Sequence, residues 1–143
     1  MVRVYPNAEF EADFPNDQVD EDGRVAIFPG RNVSEAIAEL VRGAGVKADE
    51  PEHQHEHGWA FVAKYESRSI WVEICTFEDQ QFHMYAKYGG LLGFLPSTKR
   101  AHREFLTLLS RVLNGDPRFR NVVWFSNRDD RHDFGSPVPI EEG

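Results

Sequence analysis

Between His57 and Tyr88 the sequence passes through three strand-like runs separated by links too short for anything but reversals. The run from His57 to Tyr65 is rich in aromatic and small apolar residues, and Glu66-Ser67-Arg68-Ser69 follows as a turn. In Ile70–Phe77, Ile70, Val72 and Ile74 share one face, and Glu78-Asp79-Gln80 supplies the next turn. Gln81–Tyr88 puts Phe82, Met84, Ala86 and Tyr88 on one face. Side chains alternate across a strand, so these patterns describe half-buried strands. A parallel crossover takes a dozen or more residues, so the chain must fold here as an antiparallel meander.

Two helices have to cover that meander. Val33, Ala36, Ile37, Leu40 and Val41 fall on one helical face, with Asn32 and Glu35 in capping-box spacing and Gly43 and Gly45 as the stop. Ala101, Phe105, Leu108, Leu109 and Val112 form a second stripe, capped by Ser97 or Thr98 and ended by Asn114-Gly115-Asp116-Pro117. Asn7 to Phe14 alternates apolar with acidic residues and reads as a strand; Asp22-Gly23 turns into another at Arg24–Phe28. Val122–Phe125 is a final strand. Lys47 to Glu56 is polar and acidic and reads as a loop. The expected fold is a two-layer α+β sandwich. Its mainly antiparallel sheet has the order β-β-α-β-β-β-α-β, and both amphipathic helices pack on one face. From Arg24 onward the order is loosely ferredoxin-like, with one additional strand. At 143 residues this is one domain, with 127–143 expected as an irregular tail.

A single cysteine, Cys75, excludes an internal disulfide framework and a cysteine-based zinc site. No apolar run approaches the roughly 20 residues that span a bilayer, and the start lacks a signal peptide's apolar core. A cytoplasmic protein is expected, with no membrane association. The chain holds 24 acids against 16 bases, a formal net charge of -8. That balance argues against general nucleic-acid binding, because DNA and RNA are polyanions. The charge is uneven: residues 1–86 carry 17 acids and 7 bases, and residues 87–131 carry 4 acids and 9 bases.

Three patterns bear on function. Glu9, Glu11, Asp13, Asp17, Asp20, Glu21 and Asp22 concentrate negative charge near the N-terminus. With Trp71 on the face opposite Ile70 and Val72, beside Phe61, Tyr65 and Phe77, they suggest a surface for a basic protein partner. Lys99, Arg100 and Arg103 crowd the start of the second helix, where the helix end is already positive. An anion would relieve that crowding, although no P-loop or dinucleotide fingerprint accompanies it. His53, His55 and His57 alternate along the chain. An extended backbone projects them from one face about 7 Å apart. A pair of them with a carboxylate, or with the distant His83, would suit a divalent metal. No other cofactor is indicated.

Cys75 lies in an apolar strand and reads as a small hydrophobe rather than a nucleophile. No nucleophile-elbow motif occurs, and the mixed charges of 127–133 read as self-paired. In size, acidity, order of elements and lack of a catalytic signature the chain resembles small bacterial immunity or accessory proteins of toxin systems; no residue role follows from that likeness. The expectation is a non-catalytic interaction module that binds a basic partner surface and is compatible with homodimerisation. The alternatives are a metal-binding protein or small metal-dependent enzyme using the histidines, and an anion or small-ligand binder at the basic helix start.

Overall fold

The computed structural model describes residues 2–55, 58–89, 93–127 and 135–142. In chain order the elements are β1 (Val2–Val4), β2 (Asn7–Ala12), β3 (Val19–Glu21), β4 (Arg24–Ile27), α1 (Arg31–Gly43), β5 (Lys47–Ala48) and β6 (Glu52–Gln54). The remainder are β7 (Gly58–Tyr65), β8 (Arg68–Glu78), β9 (Gln81–Tyr88), α2 (Pro96–Asn114), β10 (Phe119–Phe125) and β11 (Ile140–Glu142). The meander read from the sequence is β7–β8–β9, antiparallel throughout. It supplies three strands of a sheet with the order β10-β2-β9-β8-β7-β5, and β6 also pairs with β7. The protein is an α+β sandwich.

Register sorts the side chains into two faces. Ala8, Met84, Ile74 and Trp59 lie opposite one another in successive strands, as do Phe10 with Phe82 and Val72 with Ala86. These residues are buried and, apart from Trp59, share one core with Val33, Ile37 and Val41 of α1 and Phe105, Leu106, Leu109 and Leu113 of α2. At roughly 25 cal/mol per Å² of apolar area, this shared burial is the main stabilising term. β9 and β10 both pair antiparallel with β2, so they run parallel to each other and α2 makes the crossover between them.

Several local expectations change. Among the described residues the Arg24 strand is not part of the main sheet: β4 pairs with β3, through a turn in which Asp22 and Gly23 both have positive φ. That geometry matches the strand twist, which is why Asp-Gly makes the hairpin. The polar segment 47–56 contains β5 and β6, which pair with β7 through their backbones; edge strands tolerate polar side chains. Asp49 extends the edge, accepting the Val62 N–H through Oδ1 at 2.7 Å. In the tail, Ser136 bridges Trp124 and β11 pairs with β1.

The helix caps also differ. α1 begins at Arg31, one residue before the expected Asn32. α2 starts with Pro96 in its first turn, a position that sacrifices no hydrogen bond. Ser97 therefore lies inside the helix and its Oγ accepts from Arg68 at 2.9 Å, while Thr98 is buried. Among the described residues, no helix is long and apolar enough to cross a membrane.

Candidate functional site

The sheet separates His53 from His83. His53 stands opposite Trp59 on the helix-bearing face, and its ring centroid is 5.7 Å from that of Phe28 and 5.3 Å from that of Trp59. Its Nε2 accepts the Phe28 backbone N–H at 3.0 Å, which commits that lone pair to the fold. The exposed His55 meets it edge-on at 5.0 Å. His83 is buried on the opposite face, across from Glu9 and Cys75. His57 lies outside the described residues. Among the described residues no group of three or more His, Cys, Asp or Glu is placed to hold a metal ion.

The seven acids do different jobs. Asp17 binds the start of α1, accepting the Gly30 N–H at 2.8 Å and the Asn32 N–H at 2.9 Å. Arg120 pairs with Asp13 at 2.7 Å and reaches Glu11 at 4.0 Å. Glu9 sits on the outer sheet face between His83 and Val123. Only Asp20, Glu21 and Asp22 stand together in solvent, on the β3–β4 hairpin beside the exposed Val19 and Val25. The expected aromatic patch is also divided. Phe61 pairs with Val72 and is buried in the core, and Tyr65 packs against that core. Trp71 is half-buried opposite Val62 and Lys87, and Phe77 is exposed. The cause is register, which sets the odd residues of β7 opposite the even residues of β8.

The basic stretch converges. At the end of β9 and the start of α2 is an open cleft of about 580 Å³. Lys87 from β9 and Lys99 and Arg103 from α2 line it, with Tyr85, Tyr88 and His102. Arg100, one residue from Lys99, is exposed and takes no part in the lining. Among the described residues no acid lines the cleft. The first turn of α2 also lacks acids, so its positive end is not offset there. Glu104 accepts the Tyr65 hydroxyl at 3.2 Å.

His102 is 5% exposed, its Nε2–H donates to the Ala86 carbonyl at 2.8 Å, and its ring meets that of Tyr88 edge-on at 4.7 Å. Burial lowers its pKa; the Ala86 bond opposes that shift and the Arg103 charge adds to it. The side chain is thus a neutral donor fixed in the wall. Helical spacing places Lys99 and Arg103 together in the sequence. Lys87, Tyr85, Tyr88 and His102 reach the cleft only because β9 and α2 adjoin in space.

A second constellation occupies the outer sheet face. His83 Nε2 is 3.0 Å from Asn7 Oδ1, and His83 Nδ1 is 3.8 Å from Cys75 Sγ. Asn7 Nδ2 donates to the Ser126 carbonyl at 3.4 Å. Three strands supply the three side chains, and Cys75 is half-buried rather than enclosed in the core.

No family model, curated protein or solved structure matches the chain.

Proposed function

We propose that the protein binds a small anionic ligand, of phosphate or carboxylate type, in the cleft between β9 and α2. The observation that carries this reading is the convergence of Lys87, Lys99 and Arg103 on one cavity, in a chain whose net charge is -8. Like charges so placed repel one another until an anion enters. Tyr85 and Tyr88 line the same cleft, and the His102 ring walls it without adding a charge. Arginine binds such a group through paired N–H donors, and lysine as a point charge.

Calorimetry with inorganic phosphate, pyrophosphate and citrate tests the reading. Saturable binding at millimolar concentration or tighter is expected. It should weaken severalfold as salt rises from about 50 to 200 mM, and disappear in a Lys99→Gln/Arg103→Gln variant. Absence of heat with all three probes rejects it.

A second reading has its own observation. The β3–β4 hairpin is a separate two-stranded sheet, and it presents Asp20, Glu21 and Asp22 beside exposed Val19 and Val25. Acids around an apolar contact suit a basic protein partner, steered by charge and held by burial. Neutralising those three acids, while leaving Asp17 and Asp13 intact, tests that reading without disturbing the fold. Unchanged partner binding would count against it.

A further inference from the structure

We propose that Cys75 is a nucleophilic thiol, activated by His83 and Asn7, that accepts an acyl group from an activated ester. The hydrogen-bond directions follow from one fixed end. The Ser126 carbonyl can only accept, so the amide nitrogen of Asn7 faces it and Oδ1 faces His83. Oδ1 also only accepts, so His83 carries its proton on Nε2. The lone pair of Nδ1 is then directed at Cys75 Sγ, 3.8 Å away. This order, thiol to imidazole to side-chain amide, lets a cysteine pass its proton to a histidine held in the correct tautomer.

Among the described residues, the charged and titratable neighbours on this face are Glu9 of β2, Glu73 of β8, and Tyr85 and Lys87 of β9, with Glu11 beyond Gln81 paired to Arg120 of β10. Glu9 lies directly opposite His83, and Lys87 lies farthest along β9. In the step itself the Cys75 thiolate attacks the acyl carbon and a C–S bond forms. The ester C–O bond breaks, and the leaving oxygen takes the proton from His83 Nδ1. Water then attacks the thioester, returns a proton to Nδ1, and releases the carboxylic acid with Cys75 again a thiolate. A general acid beside the sulfur favours acyl transfer, because an ester oxygen leaves poorly without a proton. The residues of this site are distinct from the cations of the cleft, so either assignment stands if the other fails.

Cys75 is the sole cysteine, so thiol chemistry reports on it alone. Full-length protein is incubated with p-nitrophenyl acetate while p-nitrophenolate release is followed, and the acetylated peptide is identified by mass spectrometry. Separately, iodoacetamide alkylation is measured against pH in native protein and in protein unfolded in urea. The expected result is an acetyl group on Cys75 and a native alkylation midpoint below that of the unfolded chain, whose thiol titrates near about 8.5. His83→Gln should lower acylation at least tenfold and return the midpoint to the unfolded value. Acetylation confined to lysines, or a native midpoint equal to or above the unfolded one, overturns the proposal. The comparison of native with unfolded protein needs no variant, so a His83→Gln chain that fails to fold does not weaken the test.

Discussion

The Asp17 carboxylate accepts the backbone N–H of Asn32 at 2.9 Å, and its other oxygen accepts that of Gly30 at 2.8 Å. A side chain from the loop before β3 thereby satisfies donors at the start of α1, where Gly30 at the cap has no side chain to accept them. Asp17→Ala should cost about 1–2 kcal/mol, the range for losing a helix cap. Asp17→Asn keeps one acceptor and should cost less. Urea unfolding of the two variants checks both the size and the order. An alanine variant as stable as the parent would show that these bonds add nothing net.

Glycine substitutions should divide sharply by position. Gly58 has φ of +96°, and an added Cβ would lie 2.4 Å from the Ile74 carbonyl oxygen. Backbone, not a flexible side chain, blocks it. Gly58→Ala should cost at least about 3 kcal/mol, combining strain with displacement of β8. Gly43 ends α1 with open space around it. Gly43→Ala should therefore gain about 0.5–1 kcal/mol through helix propensity and a stiffer unfolded chain. Thermal melts of the pair give the contrast directly.

The β7–β8 turn carries a correctable strain. Glu66 and Ser67 have φ of 49° and 65°, left-handed values that cost L-residues with a Cβ. Tyr65 and Arg68 are paired, so the turn has two residues and the twist of a type I′ hairpin. Replacing Glu66-Ser67 by Asn-Gly should raise stability by about 1 kcal/mol. The denaturation midpoint in urea should rise with an unchanged slope; a fall would mean that the present side chains make contacts worth more than the strain.

The meander, both helices and the α+β class were legible because each rests on local periodicity. The functional constellations were legible only in part, because they depend on register. A regular hairpin centred on Asp79-Gln80 would set Cys75 opposite Met84. The bulge between Thr76 and Glu78 moves the partner by one residue, to His83. No alternation in the sequence announces a bulge, and Asn7 then arrives from a strand 76 residues earlier. The acids show the same limit. Asp17 and Asp20 look alike in sequence, yet one holds a helix start and the other stands in solvent. Lys99 and Arg103 were legible as a pair because helical spacing is local, whereas Lys87 joins them through tertiary contact.

His102 gives the cleft a pH dependence whose sign is fixed by burial. Its folded pKa lies below the ordinary value of 6.5, because the buried ring resists taking a charge; Arg103 adds to that resistance. Above 6.5 the ring is neutral in both folded and unfolded chains and contributes no slope. As pH falls through about 6.5, the unfolded chain takes up a proton that the folded chain refuses. Stability is then lost by up to about 1.4 kcal/mol per pH unit, until pH passes the folded value. The chain holds five other histidines, so the test is a difference. The urea midpoint of the parent should fall more between pH 7 and 5 than that of His102→Gln, which can still donate to Ala86. An anion in the cleft would lighten the cost of charging His102, since it offsets the Arg103 field. The parent's loss should therefore be smaller in phosphate than in chloride at equal ionic strength, and that relief should vanish in Lys99→Gln/Arg103→Gln. Equal losses in the two salts would separate His102 from anion binding and leave its titration as a property of the fold alone.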